Sequence, residues 1–148
     1  MNYTLRKAVE NDNELSFEIR KNALGKYVEE TWGWDEEFQR KYHEEDFDTD
    51  ILSIIEVDGE PAGTLEVYSD EHSMIISGIY IIDKYQNKGI GTKILLNLHK
   101  QASAENKAIR LQVLKVNERA KKLYLALGYE IYNATETHFQ MVNYNPVK

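Results

Sequence analysis

The chain has 148 residues, with 42% apolar side chains, 25 acids against 18 bases, and no cysteine. That length suits a single domain spanning 1–148 whose core needs no staples, and the missing thiols exclude disulfides, thiolate metal sites and a cysteine acyl-enzyme, leaving a cytoplasmic location as the expectation. The net charge of −7 argues against nucleic acid as a partner; the alternating start from Met1 to Glu10 is not an apolar signal core, and no stretch approaches the ~20 apolar residues of a membrane span.

Tyr3 to Val9 alternates apolar and polar and reads as a first strand. Asn11-Asp12-Asn13-Glu14 then offers a helix cap, followed by Leu15, Ile19, Ala23 and Tyr27 at every fourth residue. This helix is expected to end near Thr31, since Gly33 sits between Trp32 and Trp34, and Asp35 can cap a second helix carrying Phe38 and Tyr42. The two tryptophans either pack that corner or form a wall for a substrate.

Leu52 to Val57 and Gly63 to Tyr68 flank the turn cluster Asp58-Gly59-Glu60-Pro61, a hairpin pattern. After a turn at Ser69-Asp70-Glu71-His72, the run Met74 to Ile82 is apolar on both faces apart from Ser77 and Gly78, as a central strand would be. A helix over Ile90 to Ala104 shows Ile90, Ile94, Leu95, Leu98 and Ala102 on one side. A strand over Ile109 to Val116 follows, and then Asn117 as the cap of a last helix with Ala120, Leu123, Tyr124 and Leu127 on one face, stopped by Gly128. Tyr129 to Tyr132 and His138 to Tyr144 complete the strands.

The acid is local. Residues 29, 30, 35, 36, 37, 44, 45, 46, 48 and 50 are acidic against two bases, Arg40 and Lys41, so this segment holds −8 and the remainder, 15 acids against 16 bases, holds +1. Such a run is either a solvated helix face or a field that draws in a cationic partner. The four histidines, at 43, 72, 99 and 138, show no i, i+4 pairing, and no metal site is expected.

Gln86-Asn87-Lys88-Gly89-Ile90-Gly91-Thr92 lies between the central strand and the helix that follows. Two glycines two apart let backbone N–H groups turn inward, and the helix start adds its own unpaired N–H groups and positive dipole end. This is a design for phosphate, although the glycines could serve only a tight turn. A dinucleotide loop would place a third glycine where Ile94 stands, and no acid follows about 20 residues on. A nucleotide-triphosphate loop would need Gly-Lys-Thr, whereas Gly91-Thr92-Lys93 reverses that order and residue 86 is Gln.

With Gln86-x-x-Gly89-x-Gly91 at its centre and Asn117-x-x-Ala120-x-x-Leu123-Tyr124-x-x-Leu127-Gly128-Tyr129 after it, the order strand, two helices, three strands, helix, strand, helix, two strands resembles the GNAT superfamily of acetyl-CoA-dependent N-acetyltransferases. The resemblance covers almost the whole chain. It extends to a set of bacterial members with mostly unassigned substrates, which share an aromatic stretch like Tyr27 to Gln39 and an ending like Glu136-Thr-His-Phe-x-Met141. It implies an α+β fold, with a mixed, mostly antiparallel sheet of about seven strands flanked by four helices. It also implies acetyl-CoA as cosubstrate without a metal: Ile79, Tyr80 and Ile81 would bond the pantetheine arm through their backbone, Gln86 to Thr92 would take the pyrophosphate, and Asn117 and Ala120 would meet the cofactor arm. Tyr124 would meet the sulfur as general acid, a sensible pairing because a phenol near pKa 10 can protonate a thiolate whose conjugate acid lies near 8.5.

The base is where this chain departs from that pattern. Many members carry a glutamate at the place of Ile75 or Ile76, or where Gln112 stands, and none of these can take a proton. Glu29, Glu30, Glu66 and His138 are the substitutes, directly or through water. The acceptor expected is a cationic primary amine, small or on a protein, near Tyr27, Glu30, Trp32 and Trp34. A homodimer stays open. The competing reading is a non-catalytic acyl-CoA sensor that kept the cradle; intact Tyr124 favours the enzyme and the missing strand acids favour the sensor.

Overall fold

A computed structural model describes residues 1–147. Among these, seven strands and four α-helices follow in the expected order: β1 (Thr4–Lys7), α1 (Asn13–Trp32), α2 (Glu36–Asp46), β2 (Leu52–Val57), β3 (Glu60–Ser69), β4 (Ser73–Ile81), α3 (Ile90–Ala104), β5 (Ala108–Leu114), α4 (Glu118–Ala126), β6 (Glu130–Ala134) and β7 (His138–Asn143). The strands form one sheet ordered β1-β2-β3-β4-β5-β7-β6. β4 and β5 run parallel, while β1 with β2, β2 with β3, β5 with β7 and β6 with β7 are antiparallel. The chain divides into two compact units, residues 1–66 with 78–92, and residues 67–77 with those from 93 onward.

In the first unit, Ala8, Leu52 and Ile54 form a buried cluster against which Leu15 and Phe47 pack. The expected cap at the start of α1 works differently. Asp12 occupies the cap position but makes no side-chain cap; its carboxylate instead takes two bonds from Arg6, 2.9 and 3.1 Å, and one from the Val9 N–H, 2.8 Å. Two bonds from a cationic guanidinium outweigh a single cap bond from a backbone N–H, and the Arg6 bonds hold the Asp12 pKa below the usual carboxylate range. The buried face of α1 also departs from the four-residue stripe: Phe17, Ile19 and Val28 are buried with Ser16, whereas Leu15, Ala23 and Tyr27 are half-buried.

Asp35 does cap α2, its Oδ1 accepting from the Phe38 N–H at 3.1 Å. The apolar residues of α2 nevertheless point outward, Phe38 and Tyr42 being 61% and 46% exposed, and the buried positions are one further along, Gln39 and His43. His43 bonds the Ser16 Oγ at 2.9 Å and the Asn13 carbonyl at 3.1 Å and lies edge-on to Phe17. A satisfied imidazole is therefore what seats α2 on α1.

The β2 to β3 hairpin closes on two residues rather than four. Asp58 and Gly59 both have positive φ, 53° and 79°, the pattern of a tight turn matched to strand twist. Pro61 thus lies within β3, opposite Glu56, and the register slips by one between Ile55 and Glu56; proline has no N–H for the ladder, and a bulge absorbs the loss.

In the second unit, the stripe expected of α3 is buried throughout, Ile94, Leu95, Leu98 and Ala102 following Ile90. Met74 and Ile76 on β4, Ile109, Leu111 and Val113 on β5, and Met141 and Val142 on β7 are buried as well. β6 is exposed along its whole length, as an edge strand is. Gly128 ends α4 with φ 98°, the left-handed terminator its position predicts.

Candidate active site

β4 pairs with β5 only over Ser73–Ile76 and Ala108–Leu111, so Ser77–Ile81 lie outside that ladder. The backbone of Ile79, Tyr80 and Ile81 lies beyond the ladder's end, after Ser77 and Gly78. On the β3 side the approach is close: the Ile82 N–H donates to the Ala62 carbonyl at 3.0 Å, and a Cβ on Gly63 would run into the Tyr80 carbonyl oxygen. Glycine is required there by contact, not by backbone angle.

A single 3₁₀ turn, Asp83–Tyr85, then leads into the glycine loop. It is tied down twice, by the Asp83 N–H to the Asn22 Oδ1 at 2.9 Å and by the Tyr85 hydroxyl to Glu60 at 3.0 Å. Gln86 turns its amide back to the Ile81 carbonyl, 2.8 Å, so one of its donors braces the loop. Asn87 and Gly89 both take positive φ, 63° and 80°. A Cβ added to Gly89 or Gly91 would meet nothing within 4 Å; both backbones border open space. Only Gly89 needs glycine for its φ, since Gly91 already lies in α3. Ile90 is 1% exposed and anchors the helix start. The first turn of α3, through Thr92, presents N–H groups that have no partner within the helix, and the loop with Lys88 beside it can hold a doubly charged phosphate chain.

In the second unit, Asn117 caps α4, its Oδ1 accepting from the Ala120 N–H at 3.2 Å. That orientation leaves the amide N–H₂ as the donor Asn117 can offer. Tyr124, two turns further on, is 8% exposed; its ring meets the Tyr129 ring edge-on at 5.6 Å, and its carbonyl accepts from the Tyr129 N–H at 3.0 Å. The Tyr129 hydroxyl in turn lies 2.8 Å from the His99 Nε2. Burial raises the Tyr129 pKa and lowers that of His99, so both stay neutral at ordinary pH. Nothing local in the sequence marks this pair, because His99 and Tyr129 are 30 residues apart. His138 opens β7, half-buried, with Nδ1 2.8 Å from the Thr137 Oγ1; burial lowers its pKa as well, which keeps a neutral imidazole available.

The remaining site candidates belong to the first unit. Glu29 and Glu30 are exposed on α1, Tyr27 is half-buried on the same helix, and Glu66 is half-buried on β3. The two tryptophans divide: Trp34 packs on Phe17 at 6.3 Å and donates from Nε1 to Glu36 at 2.9 Å, whereas Trp32 is 58% exposed. Glu36 also takes Lys21 and Arg40, at 2.9 and 3.0 Å, and these partners, Lys21 first, hold its pKa at about 2. The other nine acids of the 29–50 segment are exposed. Among the described residues, no three His, Cys, Asp or Glu side chains converge as a metal site, and no helix is long and apolar enough to cross a membrane.

Solved structures share this architecture at low identity. PaiA N-acetyltransferase from Thermoplasma acidophilum, in complex with coenzyme A, superposes with a TM-score of 0.77 at 18% identity, covering 97% of this chain and 99% of its own. The ribosomal-protein-S18-alanine N-acetyltransferase from Escherichia coli gives 0.71 at 16%, with 99% and 96% covered, and an acetyltransferase from Thermus thermophilus gives 0.75 at 16%, with 97% of both. No curated protein sequence matches. The Acetyltransferase (GNAT) family model matches residues 13–129, from the first helix through the Leu127-Gly128-Tyr129 end of α4. The chain belongs to the GNAT family of acetyltransferases.

Proposed function

We propose that the chain is a single-domain, cytoplasmic N-acetyltransferase that moves an acetyl group from acetyl-CoA directly to a primary amine. The observation that carries this reading is the open backbone at Gly89 and Gly91 at the start of α3, reached from a strand whose last five residues leave the β5 ladder. In this reading Gln86 to Thr92 hold the pyrophosphate through main-chain N–H groups, Ile79 to Ile81 bond the pantetheine amides, and Asn117 and Ala120 meet the cofactor arm. The neutral amine attacks the thioester carbon, the C–S bond breaks, and the thiolate takes the Tyr124 hydroxyl proton. The proton lost from the amine goes to Glu66 or His138, or through water to Glu29 or Glu30.

The acceptor is an amine that is cationic in solution, drawn by the exposed acids of residues 29–50. Because it reacts only when neutral, the rate rises with pH to a plateau. Incubation of the protein with acetyl-CoA and a mixed amine library tests the reading: free CoA thiol should accumulate only when amines are present, with one amine gaining the mass of an acetyl group. The second reading, an acyl-CoA sensor, is favoured by Ile75, Ile76 and Gln112 at the places of the family's acids. Saturable acetyl-CoA binding with no amine-dependent thiol release would select it.

A further inference from the structure

The hydrogen-bonded pair of His99 and Tyr129 has no task in the reaction so far. His99 stands on α3 and Tyr129 follows α4, and both side chains are all but fully buried. Their rings are 5.4 Å apart, with the Tyr129 hydroxyl 2.8 Å from the His99 Nε2. Burying a phenol and an imidazole costs desolvation that one hydrogen bond only roughly offsets, and an apolar pair of the same shape would be about as stable. What the pair adds is direction, since it holds the far end of the Tyr129 ring in one place.

Tyr129 is held at its near end as well. Its N–H donates to the Tyr124 carbonyl at 3.0 Å. The turn before it is clamped to β7, where the Asn143 Nδ2 donates to the Leu127 carbonyl at 3.2 Å. A Cβ on Gly128 would come within 3.2 Å of that same nitrogen, so the turn lies close against the strand. With main chain and hydroxyl both anchored, the tilt of the Tyr129 ring is fixed. Against this ring stands Tyr124, the centroids 5.6 Å apart and the planes at 63°. Tyr124 is the proposed proton donor to the thiolate, and such a group works only within hydrogen-bond reach of the sulfur. Side chains with that duty need to be held to about 0.5 Å by the residues packed on them.

We propose that His99 is a positioning residue for acetyl transfer: through the Tyr129 hydroxyl it fixes the ring on which Tyr124 leans, and so the place of the Tyr124 hydroxyl. This rests on the acid role of Tyr124 and extends it to a residue that itself exchanges no proton with the substrate.

A double-mutant cycle separates positioning from support of the core. Tyr129→Phe keeps the ring and removes its anchor; combined with His99→Leu it leaves no buried group unpaired, so Tm should fall in the single variant and recover in the double one. With an amine that the protein acetylates, kcat should fall by about fivefold or more in both variants, as expected for a displaced catalytic group, and acetyl-CoA affinity should stay within a few-fold. In a Tyr124→Phe background the same changes should lower kcat no further. An unchanged kcat in Tyr129→Phe, a kcat that recovers together with Tm in the double variant, or equal losses with and without the Tyr124 hydroxyl would overturn the proposal. If Tyr124→Phe turns over as fast as wild type, or no amine is acetylated, the acid role fails by itself, and NMR of tyrosine-labelled protein decides the anchoring. Tyr124 ring resonances that move in the double variant would uphold it, and unmoved resonances would refute it.

Discussion

The cradle at residues 78–92 and the helical corner at residues 13–46 belong to the same unit and are built on opposite principles. The cradle is made of backbone: two glycines bordering open space, one of them at φ 80°, and a helix start. The corner is made of side chains, with Phe17, Trp34, His43 and Phe47 in a chain of ring contacts and ion pairs laid over it. A backbone site tolerates any side chain that keeps its angles and leaves the space open, and fails abruptly when a Cβ intrudes. A side-chain site changes by degrees, since each residue both packs and recognises. The cofactor loop should therefore respond to substitution by position, and the corner by chemistry.

The largest effect should come from neither region. Tyr124→Phe removes only a hydroxyl from a buried ring, so acetyl-CoA affinity should stay within a few-fold while turnover falls by roughly the 100-fold of a lost general acid. Single-turnover kinetics under conditions where chemistry limits the rate will check this, and unchanged turnover would return Tyr124 to packing alone. Next comes Gly89→Val. It strains a left-handed angle and fills the open space, and titration calorimetry should record a loss above tenfold, about 1.4 kcal/mol or more. Gly91→Val fills space without that strain, so its loss should be smaller. Equal losses would mean that φ at Gly89 contributes nothing.

In the corner the two tryptophans should separate two effects that the cradle cannot. Trp34→Ala removes ring packing on Phe17 and a hydrogen bond to Glu36, and should lower stability by about 2 kcal/mol, less than a fully buried tryptophan would. Trp32→Ala should cost less stability and show instead as reduced acceptor kcat/KM with acetyl-CoA binding intact. Acceptor kinetics should also weaken with added salt if the exposed acids of residues 29–50 act at a distance. Salt-independent kinetics would reduce those acids to a solvated surface.

The smallest effect expected is on stability against pH. His43, His99 and His138 all have pKa values pushed below their ordinary 6.5, in each case chiefly by burial. A histidine held neutral in the fold takes up a proton more readily when unfolded, so as pH falls below 6.5 the unfolded chain gains protons first and stability declines until the folded values are passed. Thermal melts from pH 7.5 down to 5 should show Tm falling, and His43→Gln should flatten the slope. A Tm independent of pH over that range would contradict the burial seen here.

Much of the local structure was legible because its signals are short-range. Glycine at a strand-to-helix junction, the Asn117 cap and the Gly128 stop each act within one turn of chain, and the apolar stripe of α3 repeats within a single helix. Local reading failed where tertiary partners outbid local ones. Asp12 looked like a cap until Arg6 claimed it, α2 buried Gln39 and His43 rather than Phe38 and Tyr42, and the Asp58-Gly59 hairpin placed Pro61 inside a strand. The contact of Arg20 with the Tyr42 ring was invisible too, since the two stand on separate helices.

The claim beneath all of these is that main-chain N–H groups at the start of α3 bind the pyrophosphate of acetyl-CoA. Amide NMR of isotope-labelled protein during titration with acetyl-CoA tests it most directly. The account predicts saturable shifts that are largest at the N–H groups of residues 87–92 and much reduced in Gly89→Val at the same ligand concentrations. Saturable binding with those amides unmoved, or no binding at all by folded protein, would contradict it.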